Sequence, residues 1–290
     1  KLYVQTGYVR NYGFEAMLSY GHRWGDFGWD SSFTFSANKN EIVELVKDYV
    51  HPETGKTYNV DKLELKTDEG RGFGKAKFIL KEGGTLGDLY THADLKRDIN
   101  GNILIDDSGN VTAIDNAGDI KLGSVLPKAN LAWNNSFSYK GINAGFLLTA
   151  RLGGIVYSAT QAYLDLYGVS ETSAAARDAG GVWINGRSRV NPQSFYEVVA
   201  SQSGLPTYYT YSATNLRLQE AHIGYTVPRR WLGNVCDINV SLVGRNLWMI
   251  YCKAPFDPEA VATTNNYYQG IDYFMMPSTR NIGFNIKINF

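Results

Sequence analysis

The segment Asn281 to Phe290 reads NIGFNIKINF, with Ile282, Phe284, Ile286, Ile288 and Phe290 apolar and Gly283, Asn285, Lys287 and Asn289 between them. Side chains on a strand point alternately to opposite faces, so this segment has one apolar face and one polar face. The alternation recurs upstream. Tyr12, Phe14, Ala16, Leu18 and Tyr20 alternate with Gly13, Glu15, Met17, Ser19 and Gly21. After the WGDFG turn, Trp29, Phe33, Phe35 and Ala37 alternate with Asp30, Ser32, Thr34, Ser36 and Asn38. Leu131, Trp133, Phe137 and Tyr139 share one face of a further run. Past the Lys140-Gly141 turn, Ile142, Ala144, Phe146, Leu148, Ala150 and Leu152 do the same. Ile238, Val240, Leu242 and Trp248 repeat the pattern, and weaker versions lie at 74–80 and around 86–91.

One run changes phase. Leu216 and Leu218 are even, whereas Ala221, Ile223, Tyr225 and Val227 are odd. One extra residue at Gln219 or Glu220 restores the pattern, which predicts a β-bulge there. No comparable pattern supports long helices, so the chain reads as all-β.

The connections choose the architecture. Short links fall near 24–28, 81–84, 140–141 and 227–236, and long ones near 47–71, 92–128, 153–214 and 251–278. Long structureless loops are uncommon in a compact soluble domain. Short turns at one end and long loops at the other are the pattern of an antiparallel transmembrane β-barrel. The runs are long enough to cross a bilayer when tilted. Tyr20, Trp24, Phe27, Trp29, Tyr139, Tyr225 and Trp231 gather at the short turns, as an aromatic girdle requires. Pairing the runs in order gives about nine strands, an odd number that leaves two lipid-facing edges unpaired. With the start at Lys1 in place of Met, this implies a part of a larger barrel. The competing reading is a secreted β-sandwich, a carbohydrate-binding module, in which Trp133, Phe137, Phe146 and Leu148 are buried under a second sheet.

Composition narrows the partners. The formal net charge is zero, which argues against nucleic acid, and charged residues make up 19%, below the roughly 25% of a soluble domain. No uninterrupted apolar run approaches the roughly 18 residues of a spanning helix. Cys236 and Cys252 flank one strand-like run. Extended, that run holds them about 50 Å apart, so two free thiols are expected.

Several motifs together resemble one family. YSATNLRLQEAHIGYTVPRRWL (211–232) is similar to the penultimate-hairpin signature of SusC/RagA-type TonB-dependent transporters of the Bacteroidota, matching at Leu216, Arg217, Leu218, Gly224, Tyr225, Thr226 and Pro228. VSLVGRNLWMI with the later FDPE (240–259) resembles the strand that follows, with Asn246-Leu247 and Asp257-Pro258-Glu259. MPSTRNIGFNIKINF resembles the closing strand, at Pro277, Arg280, Gly283 and Phe290. Residues 7–45 are similar to a mid-barrel hairpin, and EGGTLGDLY (82–90) to a glycine-rich turn. The resemblance implies a barrel of about 22 strands closed by an N-terminal plug. Residues 1–290 would be the C-terminal part of that barrel domain, with plug and first strands absent, and Phe290 an assembly signal. It further implies an outer-membrane importer of oligosaccharides or peptides, working with a SusD-like surface lipoprotein and with the TonB complex through the missing part. A siderophore-type receptor shares the barrel, but the LRLQEAHIGYTVP signature argues against it.

No catalytic constellation is found. His22, His51, His92 and His222 lack ligand spacing, no G-x-S-x-G elbow occurs, and GRGFGK (70–75) fits neither phosphate fingerprint. In DINGNILIDDSGN (98–110), Asp98, Asn100 and Asn102 suit a calcium loop, but Ile103 replaces its turn glycine. The alternative is a small hairpin with Asn-Gly and Ser-Gly turns. The chain therefore reads as no enzyme, with no cofactor and no metal. The long loops carry recognition chemistry. Trp183, Tyr208, Tyr209, Tyr267, Tyr268 and Tyr273 offer flat faces for sugar rings or peptide side chains, beside amides such as Asn185, Asn265 and Asn266. Arg187, with Arg189, can meet a carboxylate.

Overall fold

Seven of the alternating runs form one antiparallel sheet. In chain order they are β1 (Tyr8–Trp24), β2 (Phe27–Glu44), β3 (Ala129–Tyr139), β4 (Ile142–Leu152), β5 (Asn215–Val227), β6 (Asp237–Cys252) and β7 (Asn281–Asn289). The computed structural model describes residues 7–65, 75–233, 235–262 and 269–289. Phe290, and with it the proposed assembly signal, lies outside the described residues, as do Tyr267, Tyr268, Asn265 and Asn266 and most of the GRGFGK stretch.

The strand register shows why the sheet forms. Trp24, Phe27, Tyr139, Ile142, Tyr225, Val240 and Ile286 lie side by side across all the strands. The next row is His22, Trp29, Phe137, Ala144, Ile223, Leu242 and Phe284. Further along, Leu18, Phe33, Trp133, Leu148, Leu218 and Trp248 align. The apolar band ends at the Phe14, Ala37, Ala129 and Leu152 row, beyond which Lys39 stands opposite Tyr12 and Glu41 opposite Arg10. From Trp24 to Phe14 is about 34 Å of strand, which at a tilt of about 40° is about 26 Å of height. That matches the roughly 25 Å apolar belt of outer-membrane barrels. The opposite face is polar: one row reads Arg23, Gly28, Ser138, Asn143, Gly224, Ser241 and Asn285. Another reads Ser19, Ser32, Asn134, Leu147, Glu220, Arg245 and Asn281.

The apolar face is bare. Leu18 is 73%, Phe284 78% and Trp248 61% exposed. Among the described residues no second sheet packs on it, as a sandwich would need. A continuous apolar face of this extent belongs against lipid or a partner. Aromatics rim it at the short turns, where Trp24 and Phe27 stack with ring centroids 6.0 Å apart. Toward the other rim, Arg10 and Lys39 each stand 5.6 Å from the centre of the Tyr12 ring.

The bulge falls where the phase change predicts it. Leu147 of β4 pairs with Glu220 and Leu148 with Leu218, so Gln219 has no partner on that side. Its amide donates instead to Asn246 Oδ1 at 2.9 Å, where β6 makes a left-handed kink (φ 50°). The β3–β4 turn is as short as expected, with Lys140 and Gly141 both at positive φ, the geometry that matches strand twist in a two-residue hairpin. Cys236 and Cys252 are free thiols.

Two expectations need correction. The runs at 74–80 and 86–91 are not barrel strands: Ala76–Lys81 and Asp88–Thr91 join Lys62–Glu64 and Ile120–Ser124 in a separate four-stranded sheet. Ala76, Phe78 and Ile79 are buried on both faces, as are all of Asp88–Thr91, so these are core strands with no lipid face. The sheet thus has seven strands where nine were expected, and β2 pairs directly with β3. Because the displaced runs are an antiparallel pair, the direction of every other strand is unchanged. Secondly, the all-β reading misses three eight-residue helices, α1 (Ala159–Leu166), α2 (Glu171–Asp178) and α3 (Pro192–Val199).

Candidate functional site

All the long connections leave the sheet at the end opposite the short turns, and there they pack together. One core gathers Phe78, Leu89 and Val125 from residues 45–128, Tyr157, Phe195 and Val199 from 153–214, and Ile271 from the last connection. Ile155–Ser158 pairs with Thr210–Ser212 on one side and with Ile271–Asp272 on the other. The Ser158 hydroxyl donates to Asp272 at 2.6 Å and also caps α1 by accepting from Gln161 N–H. Ser170 caps α2 in the same way, and Asn191 with Pro192 opens α3. The loops are therefore a folded cap. At its base the turn after Lys81 is bolted to β2, with Gly83 N–H donating to Ile42 O and Ile42 N–H to Gly84 O.

This packing divides the recognition residues. Tyr209 is 2% exposed, its hydroxyl donates to Asp165 at 3.0 Å, and burial followed by the Asp165 charge raises it above the ordinary phenol range. Tyr208 is half-buried against Phe195, and burial raises its hydroxyl too. Neighbouring Tyr211 is pushed up to about 12 by burial first and Asp165 second. Trp183 and Arg187 stand exposed on the hairpin formed by Val182–Ile184 and Ser188–Val190, where the Arg189 guanidinium stacks 4.4 Å from the Trp183 ring centre. Tyr273 sits in a trio with the exposed Phe274 and the half-buried Tyr163, centroids 5.2 and 6.4 Å away. Arg189 and Phe274 thus take their place beside Trp183 and Tyr273, and Tyr163 joins the candidate surface. The contact of Tyr163 on α1 with Phe274 has no sequence signal.

The 98–110 stretch forms two small turns in tandem. Asp98 Oδ1 accepts from Asn100 and Asn102 N–H, and Asp106 Oδ1 from Ser108 and Asn110 N–H, all at 2.8–2.9 Å. The side-chain bond from Asn102, ahead of the backbone donors, holds the Asp98 carboxyl below its usual range. Asn185, at φ 53°, clasps this stretch from the Trp183 hairpin, accepting from Ile103 N–H and donating to Ile103 O. Asn185→Ala should free the hairpin from its support, costing about 1–2 kcal/mol locally. Hydrogen exchange of residues 182–190 should then rise while that of β3 and β4 stays fixed.

Beneath the cap, the polar wall carries a cleft of about 730 Å³ lined by Glu15, Ser36, Asn130, Thr149, Arg151, Gln219 and Glu259. One side is a returning segment of the last connection. Arg217 on β5 holds it, with Nη2 2.8 Å from Asp257 Oδ1 and 3.3 Å from Glu259 Oε2. Asn215 Nδ2 donates to the other Glu259 oxygen, and Phe256 meets Tyr211 edge-on at 5.6 Å. The segment thereby ties the sheet to the cap. Arg217, Asp257 and Glu259 all lie in the motifs that carried the family resemblance, but their pairing was not legible there.

No family model matches the chain. Three curated relatives do, all from Formosa agariphila. TonB-dependent receptor P3 is 25% identical over 90% of this chain. TonB-dependent receptors P26 and P39 are 25% and 24% identical over 98% and 99% of it. The chain spans only 27%, 29% and 31% of the length of these relatives. Among solved structures, the RagAB peptide importer in its closed-closed state aligns over 98% of this chain and 30% of its own, with a TM-score of 0.65 at 18% identity. A second RagAB peptide transporter structure gives 0.62 at 16% identity. Sequence and fold agree: the chain is similar to TonB-dependent receptors along nearly its whole length and shares the fold of RagAB, in keeping with the SusC/RagA type that its own motifs resemble.

Proposed function

We propose that this chain is the C-terminal part of the barrel of a SusC-like, TonB-dependent outer-membrane importer of oligosaccharides or peptides. The observation that carries the reading is the two-faced sheet: an apolar belt of bilayer height on one side, a polar wall on the other. The free edges of β1 and β7 would pair with further strands to close the barrel, since hydrocarbon tolerates no open edge. The polar wall would line the lumen around a plug, which a TonB-linked proton-motive force would displace. The cap would face outward, beneath a SusD-like lipoprotein lid. Cargo would meet the exposed Trp183, Arg187 and Tyr273 and the half-buried Tyr208, joined by Tyr267 and Tyr268, while Tyr209 serves the cap's packing. The role is one of transport, with no bond made or broken in the cargo.

The test begins with the protein purified from outer membranes in detergent. A mass about three times that of this chain, with a lipoprotein alongside, is expected. A soluble species at this chain's own mass overturns the reading. Uptake of labelled peptides and oligosaccharides, with and without TonB, then separates the cargo classes. The double variant Trp183→Ala, Arg187→Ala should weaken cargo binding roughly tenfold or more, because exposed aromatic and arginine anchors carry such energies. Unchanged binding removes the hairpin from the site.

A further inference from the structure

Arg151 and Arg217 are close neighbours on the polar wall, since Thr149 of β4 stands opposite Arg217 of β5. Their partners differ. Arg217 holds two carboxylates, whereas Arg151 has no ion pair among the described residues. Arg151 Nη2 donates to the Val125 carbonyl at 2.9 Å. Its Nε, like that of Arg217, is buried with no acceptor among the described residues, so of the two only Arg151 lacks both an ion pair and a filled Nε. Neither nearby acidic group forms an ion pair with Arg151. Glu259 is near enough for its charge to act on Arg151, but its oxygens are held by Arg217 and Asn215. Glu15 lies on the same row three strands away, about 14 Å at ordinary strand spacing. A half-buried guanidinium with an orphaned N–H is a costly arrangement unless an anion completes it. The surroundings make room for one: Arg151 lines the 730 Å³ cleft with the neutral donors of Asn130, Thr149 and Gln219, and with Glu15 and Glu259 at its sides.

We propose that Arg151 is a lumenal binding site for a carboxylate, which its planar fork would take in two parallel hydrogen bonds. This rests on the lumenal reading of the polar wall given above. The carboxylate has two possible sources: the free acid group of an imported peptide or acidic sugar, or an acidic side chain of a polypeptide segment seated in the lumen.

The experiment uses the intact protein in detergent. Calorimetric titration compares N-acetyl-triglycine, which has a free carboxylate, with its C-terminal amide, for wild type, Arg151→Gln and Arg151→Lys. If cargo supplies the group, the acid binds wild type about tenfold or more tighter than the amide, and Arg151→Gln abolishes the preference. If a lumenal segment supplies it, the two probes bind wild type alike. Arg151→Gln then raises hydrogen exchange across 128–131 and 147–152, and Arg151→Lys restores part of the protection. The proposal is overturned if the probes bind alike and Arg151→Gln leaves exchange unchanged, or raises it with no rescue by lysine, since a bond to Val125 alone would explain that. Heat-modifiable migration of the same preparation reports the barrel independently, so failure of the barrel reading is distinguishable from failure at Arg151.

Discussion

Leu148→Arg should destabilise the protein in a bilayer by about 2–4 kcal/mol, while Leu147→Arg, one residue earlier, should cost less than about 1 kcal/mol. Both positions hold leucine in the same strand, so size, hydrophobicity and strand propensity are matched. Only the face differs. Leu148 sits in the apolar row between Trp133 and Leu218, near the middle of the belt. A guanidinium there must either enter hydrocarbon or thin the bilayer to reach water. Leu147 lies between Asn134 and Glu220 on the polar wall, where an arginine meets an amide and a carboxylate. Reversible urea unfolding in lipid vesicles measures both. Equal costs would mean that the two faces of the sheet meet like surroundings, and the barrel reading would fall.

How much of this was legible depends on the length of each pattern. The strands β1 to β7 carry enough alternating residues for face and direction to be read directly, and the bulge at Gln219 followed from a single change of parity. The cap did not follow. Ala76–Lys81 shows strand composition, and nothing in six residues separates a lipid-facing strand from one buried on both sides. The helices are eight residues each, barely two turns, too short for a 3.6-residue period to stand out. Their caps are nevertheless in the sequence: Ser158, Ser170 and Asn191-Pro192 are ordinary helix starts, but a lone cap without a following apolar period does not distinguish a short helix from a turn. For the candidate site the obstacle is different. Tyr208 and Tyr209 are chemically identical neighbours, and which of them is sealed in the core depends on Asp165 and Phe195 arriving from other elements.

The largest effect on the cap side should come from Arg217→Met, at about 3–5 kcal/mol, because it leaves a carboxylate buried without its cation. Asp257 is 9% exposed and Arg217 7%, so water cannot make up the loss. Asp257→Asn should cost less, since Glu259 still accompanies the arginine at 3.3 Å. The pH dependence follows from the same group. Burial alone would raise the Asp257 carboxyl, but hydrogen bonds from Ser278, the Glu259 N–H and Arg217 outweigh it, and the group titrates below its usual range. A folded value below the unfolded one, about 3.9, means the contribution is complete above that pH and is lost as pH falls through the folded value. Residues 253–262 should therefore stay protected from hydrogen exchange at neutral pH and loosen only in acid. In Arg217→Met, burial is less opposed, so the same segment should loosen at higher pH than in wild type while β5 and β6 keep their protection. Identical exchange of 253–262 in variant and wild type across the whole range would show that Phe256 against Tyr211 and the backbone bond from Ala262 N–H to Ile271 O (2.8 Å), not the ion pair, hold the segment to the cap.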